Sequence, residues 1–171
     1  MERLWAPWRM TYIGGIPDHR SRCFLCDIVA GSDDAANLVV ERRERTFVVL
    51  NRFPYNNGHT LVCPRAHKAT LDELSDEEHL ELMQATRDMV ALLTRVMHPD
   101  GFNIGLNLGL AAGAGLPGHL HMHIVPRWNG DTNFMPVLGD VKVIPQALED
   151  LHRALAEARK GRPAGQGGVT P

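Results

Sequence analysis

The stretch GHLHMHIVPRW, residues 118–128, constrains this 171-residue chain more than any other. His119, His121 and His123 alternate with Leu120, Met122 and Ile124. In a helix these side chains would fan out around the axis, whereas in a strand successive side chains take opposite faces. The pattern therefore predicts a strand with three imidazoles on one face, neighbours ~6.5–7 Å apart along it, and an apolar face opposite. Three imidazoles are costly to bury without partners, so the histidine face is expected to line a cleft.

The rest of the chain supplies a frame for that strand. LWAPWRMTYIGGIPDH, within residues 1–20, is too rich in Trp, Pro and Gly for a regular element and reads as an arm packed on the body. RCFLCDIVAG leads from a Cys-x-x-Cys pair into a short helix or turn. LVVERRE, RTFVVLN, HTLVCPR and FNIGLNLG read as strands, with PYNNGH as a turn by its Pro, Asn and Gly content. Residues 69–98 hold the clearest helix: Ser75 and Glu78 fit a capping box. Leu82, Met83, Met89, Val90, Leu93, Val96 and Met97 then form an apolar stripe. HPDG ends it. LAAGAGLPG is a glycine-rich loop, VKVIPQALEDLHRALAEARK contains a final amphipathic helix, and GRPAGQGGVTP has the composition of a disordered tail. Strands in the middle with flanking helices predict an α+β fold with a mainly antiparallel sheet.

Composition limits the partners. A formal charge of −2 gives no basic surface for a nucleic acid polymer. No apolar run approaches the ~20 residues needed to span a bilayer, so no membrane partner is expected. MERLWAPWRM has tryptophans, proline and charges where a signal peptide has its apolar segment. Three cysteines are an odd number and suit a reducing compartment better than a disulfide framework. The expected location is the cytoplasm.

Three chemistries compete for the histidine strand. Its imidazoles could face solvent, although Pro-Arg-Trp and a glycine-rich loop bracket it. A His-x-His pair with a third ligand could hold a catalytic zinc, but the next acidic residue is as distant as Asp131. A neutral imidazole could instead attack phosphorus, forming a phosphoramidate that a second acceptor cleaves. That chemistry needs a hydrogen bond to fix the tautomer and donors for the phosphate oxygens. LAAGAGLPG can offer backbone N–H groups as a nest.

His119-Leu-His121-Met-His123-Ile-Val resembles the His-φ-His-φ-His-φ-φ signature of the histidine triad (HIT) superfamily of nucleotide hydrolases and transferases. CFLCDIVAG is similar to the family's Cys-x-Phe-Cys-x-Ile segment, with Leu25 where Phe is usual. VVLNRFPYNNGHTLVCPRAHKATLDEL resembles its strand–turn–strand ending in Gly-His-x-Leu-Val-x-Pro. GFNIGLNLG, AGAG and HLHMHIVPRWNGDTNFMPV resemble the branch of bacterial diadenosine tetraphosphate phosphorylases and, more distantly, the fragile histidine triad hydrolase. The resemblance runs from about Trp5 to about Leu155. It implies a five-stranded antiparallel sheet with one long helix and a C-terminal helix, and a homodimer. The HIT domain would occupy residues 21–158, between an arm at 1–20 and a tail at 159–171.

The same resemblance assigns roles. His121 is the nucleophile and His123 stands beside the phosphates. Asn51 matches a ribose contact and Asn107 a phosphate-contacting amide. Leu25, Ile28 and Val49 match positions lining the base pocket, where plain core packing is an equal reading. Gly113 and Gly115 form the nest, and Trp128 is a branch-specific contact or an ordinary packed Trp. Cys23 and Cys26 are a redox pair or half of a zinc site. A structural Zn²⁺ needs two more ligands, for which His67 and His119 are the candidates, and His119 is then a ligand rather than a phosphate contact. Cys63 reads as a buried strand residue. No organic cofactor is expected. The implied activity is nucleotidyl transfer on adenosine-containing dinucleoside polyphosphates, with phosphate as acceptor in a diadenosine tetraphosphate phosphorylase. A dinucleoside polyphosphate or nucleoside phosphoramidate hydrolase is the alternative, and a non-catalytic zinc-stabilised nucleotide-binding module is a rival of another class.

Overall fold

The computed structural model describes residues 23–132 and 144–161. The expected arm and residues 162–171 of the expected tail lie outside the described residues. In chain order come α1 (Phe24–Ala30), β1 (Val39–Arg42), β2 (Thr46–Leu50), β3 (Thr60–Pro64), α2 (Asp76–Met97), β4 (Gly101–Leu106), β5 (Met122–Arg127) and α3 (Leu148–Lys160). All strands join one five-stranded antiparallel sheet in the order β1-β2-β3-β5-β4. The α+β architecture is the expected one.

β2 and β3 are buried at every position, so TFVVL and TLVCP read as continuous runs rather than alternations. α2 packs on β2, β3 and β5, and α3 packs on α2 and β1. Phe47, Val62, Leu93, Ile124 and Leu155 sit at the centre of the resulting core. The capping box is present: Ser75 Oγ accepts from the Glu78 backbone, and the Glu78 carboxylate accepts from the Ser75 N–H at 2.7 Å. The stripe of α2 is narrower than expected. Leu82, Met89 and Leu93 are buried, but Met83 is 56% exposed because one residue of helix turns it off the core face. The helix ends at His98, which adopts a left-handed conformation at φ +50°. α3 runs through Lys160, two residues into the expected tail at 159–171, and ends where the segment GRPAGQGGVTP begins.

Two local arrangements position the site. Arg42 of β1 donates to the carbonyls of Ile28, Val29 and Gly31, which satisfies the C-terminal end of α1. It thereby fixes the helix whose N-terminal end carries Cys23 and Cys26. The second concerns the histidine strand. β5 begins only at Met122, so His119 and His121 precede the ladder and the three-histidine strand is shorter than expected. The reason is that Leu120 N–H bonds the Lys68 carbonyl, just beyond β3, at 2.6 Å. The alternation itself persists: Leu120, Met122 and Ile124 all enter the core.

Candidate active site and metal centre

The register brings a fourth histidine to the triad. Leu61 of β3 pairs with His123 of β5, and His59 lies two residues before Leu61. It is therefore a diagonal neighbour of His123 on the same face. The His59 and His123 ring centroids are 5.1 Å apart, and those of His121 and His123 are 4.9 Å apart. Tyr55 stacks on His123 and lies tilted against His59. In the sequence His59 stands where the PYNNGH turn meets the HTLVCPR strand and within the Gly-His-x-Leu-Val-x-Pro resemblance, with no site role attached. That motif marks the residue but not its neighbour, since the partner strand is not legible without the register.

The hydrogen bonds order the protons. Tyr55 N–H donates to His59 Nδ1 at 3.0 Å. A backbone N–H can only donate, so the His59 proton is on Nε2. His59 Nε2 lies 2.9 Å from His123 Nδ1, which must accept. The proton of neutral His123 is then on Nε2, and Asn107 Nδ2, also a donor, lies 3.4 Å from that nitrogen. Two donors this close cannot satisfy each other, and an anionic oxygen accepting from both would. His121 is set from the other side. Its Nδ1 lies 2.8 Å from the His119 carbonyl, which can only accept. Nδ1 therefore carries the proton, and Nε2 keeps its lone pair. Burial depresses the pKa of His121 against the opposing pull of that carbonyl. Burial, with His121 as the second cause, pushes His123 down to about 4. Near neutral pH both rings are uncharged, and His121 Nε2 is a nucleophilic nitrogen.

The other expected site residues divide. Asn51 accepts from Phe53 N–H at 2.9 Å, and its Nδ2 lies 3.2 Å from His59 Nδ1, so it closes the β2–β3 turn and steadies His59. Leu25 and Val49 are buried in the core, and Ile28 packs half-buried against it. Gly113 takes a left-handed conformation after the 3-10 turn Leu110–Ala112, and its N–H is directed back to the Leu110 carbonyl at 2.9 Å. Ala114 N–H likewise returns to Gly109. Gly115 lies in the same loop. Trp128 lies beyond the far end of β5, where its indole N–H donates to the His98 carbonyl at 3.2 Å and braces the end of α2. Arg127 forms a bidentate pair with Asp131, whose carboxyl is held well below the usual range by that guanidinium.

His119 belongs to a different cluster. Its ligand atom, with those of Cys23, Cys26 and His67, forms a group whose members all lie within 4.8 Å of one another. Cys23 Sγ is 3.3 Å and Cys26 Sγ 3.5 Å from His119 Nδ1, and Cys26 Sγ is 3.2 Å from His67 Nδ1. The edges of a tetrahedron around zinc are roughly 3.3–3.8 Å, from bonds of ~2.0–2.3 Å. His119 Nε2 lies 2.8 Å from the Pro64 carbonyl and donates to it. Its Nδ1 lone pair thus faces the thiols, as a ligand's must. With protein groups alone, burial and the neighbouring Cys23 push the Cys26 thiol up to about 11, and a cation at the centre would reverse that. Two soft sulfurs and two imidazoles fit zinc and not a hard cation. Among the described residues His121 and His123 take no part in this group.

Comparison with known proteins agrees with this geometry. A model of the HIT domain matches residues 33–130. The chain is 43% identical over 162 residues to the AP-4-A phosphorylase of Mycobacterium tuberculosis, covering 91% of this chain and 83% of that protein. It is 32% identical over 107 residues to the adenosine 5′-monophosphoramidase hnt1 of Schizosaccharomyces pombe, covering 63% of this chain and 75% of that one. Among solved structures, a Zn-bound histidine triad family protein from Mycobacterium smegmatis superposes with a TM-score of 0.63 at 29% identity. That superposition covers 80% of this chain and 91% of the other.

Proposed function

The chain belongs to the HIT domain family, and from that premise we propose that it is a nucleotidyl transferase acting on dinucleoside polyphosphates, with diadenosine tetraphosphate as substrate and phosphate as acceptor. One observation carries the reading: His121 presents an unprotonated Nε2 while its Nδ1–H is held by a carbonyl. Nε2 attacks the phosphorus nearest one adenosine. An N–P bond forms, the P–O bond to the bridging oxygen breaks, and ATP leaves with that electron pair. The ring becomes an imidazolium, and the His119 carbonyl, already bonded to Nδ1–H, stabilises the new charge. His123 Nε2–H and Asn107 face the phosphoryl oxygens. Phosphate then attacks the same phosphorus, the N–P bond breaks and ADP leaves with neutral His121 restored. The 43% identity to a protein named for this reaction supports phosphate over water as acceptor.

Zinc is the metal that Cys23, Cys26, His67 and His119 would hold. There it supplies a cross-link among α1, the segment after β3 and the triad. A homodimer is part of the same reading. The β1 edge of the sheet is covered, since Arg159 and His152 of α3 bond the Val40 and Val39 carbonyls. The β4 edge carries exposed Ile104. Among the described residues no strand pairs with its outer side, and an open edge invites strand pairing with a second copy. Free cysteines accord with a cytoplasmic protein, and among the described residues no helix is long and apolar enough to cross a membrane.

The test is a product assay. With diadenosine tetraphosphate and inorganic phosphate, the products should be ADP and ATP, and omission of phosphate should leave at most slow release of AMP. Equal rates in both conditions, with AMP and ATP throughout, would identify a hydrolase instead.

A further inference from the structure

The metal centre and the nucleophile share a residue. His119 contributes its imidazole to the Cys23, Cys26 and His67 cluster and its carbonyl to His121 Nδ1–H. That carbonyl belongs to the peptide plane between His119 and Leu120. The N–H of the same plane bonds the Lys68 carbonyl at 2.6 Å, and Lys68 follows His67, another member of the cluster. Both anchors of the plane are therefore adjacent to candidate ligands. One side of the His119 ring is already fixed by Pro64 at 2.8 Å. The other, Nδ1, has among the described residues only thiol partners, at 3.3 and 3.5 Å, and sulfur is a weak hydrogen-bonding partner.

We propose that occupancy of the Cys23, Cys26, His67 and His119 centre positions the nucleophile: metal locks the His119–Leu120 peptide plane, and that plane holds His121 with its proton on Nδ1 and its lone pair on Nε2. The inference rests on His121 as nucleophile, but the positioning itself is independent of the substrate. Without the metal, the His119 ring and its main chain gain freedom and the carbonyl no longer dictates the tautomer. His59 and His123 take their tautomers from Tyr55 N–H, on the other side of the site, so they should not respond. His119 thus acts as a positioning residue through its carbonyl.

The experiment is nitrogen-15 NMR of imidazole tautomers in histidine-labelled protein, loaded with zinc and then stripped by a chelator, with the fold followed by circular dichroism. The expected result is that His121 changes from the Nδ1–H form to a tautomer mixture on stripping, while His59 and His123 keep theirs. His67→Ala, which gives up only the exposed ligand, serves as a second sample in which the His121 tautomer should track added zinc. In stripped but folded protein kcat should fall about tenfold or more, the scale of losing support for a positioned ring, with KM little changed. An unchanged His121 tautomer in folded, stripped protein overturns the proposal. So does loss of the whole fold on zinc removal from both samples, since the metal would then be a general brace. A tautomer switch in protein that does not turn over diadenosine tetraphosphate would uphold the positioning and refute the proposed substrate.

Discussion

At the scale of residues, the site is a set of neutral imidazoles whose protons are ordered by groups that can act in one direction only. A backbone N–H directs His59, and through it His123, while a carbonyl directs His121. Removing the proposed nucleophile is the most direct trial of this arrangement. His121→Ala should lower kcat by ~10³-fold or more while nucleotide affinity changes far less, as steady-state kinetics with a binding titration would show. The depressed pKa of His123 has a stability consequence of definite sign. Its ordinary value is 6.5 and its value in the fold is about 4. Between those limits the unfolded chain binds more protons than the folded one, so acid favours unfolding. The His123 contribution should be constant above pH 7 and be lost as pH falls from 6.5 toward 4. Urea midpoints across that range should show a flatter acid limb for His123→Asn than for the parent, and superimposable limbs would exclude His123 as a source.

At the scale of elements, the β2–β3 turn decides where His59 stands. Gly58 has φ +75°, and a Cβ placed there would lie 2.7 Å from Met97 Sδ and 3.1 Å from Pro126 Cγ. The turn is thus wedged between the end of α2 and β5, and only glycine satisfies both the backbone and the space. Gly58→Ala should cost about 1–3 kcal/mol, from the left-handed backbone together with overpacking. It should also lower activity, because His59 is the next residue. Denaturant unfolding and kcat on one preparation would check both effects, and parental values in each would show that the turn accommodates a methyl group.

At the scale of the molecule, the Cys23, Cys26, His67 and His119 cluster brings together α1, the segment after β3 and the approach to β5, which are distant in sequence. Metal that binds the folded chain stabilises it, so chelation should lower Tm by several degrees or more while the large core keeps the stripped protein folded at 25 °C. Elemental analysis and scanning calorimetry would measure this, and a Tm indifferent to chelator would argue against an occupied site. The outer edge of β4, unpaired among the described residues, makes the other molecular prediction. The protein should sediment as a dimer, and Ile104→Lys, which puts a charge on that edge, should shift it toward monomer. Sedimentation velocity at several concentrations checks this, and a parental monomer would refute the pairing.

Periodicity and spacing alone determined a good deal of this protein. The alternation of residues 119–124 gave the sorting of imidazoles from apolar side chains, because strand geometry leaves only two faces. Ser75, Glu78 and HPDG marked both ends of α2, because caps satisfy local backbone groups and need no distant partner. Resemblance of the motifs added His121 and the four candidate ligands. What only the tertiary structure decided depended on pairing across the sheet. His59 enters the site through the Leu61–His123 register, which joins residues 62 positions apart in sequence. His119 leaves the triad face for the cysteines, and Trp128 serves the end of α2, because each finds its hydrogen-bond partner in a distant segment. The proton order of the site was likewise beyond the sequence. A tautomer is set by the one group that meets each ring nitrogen, and that group is known only when the chain has folded.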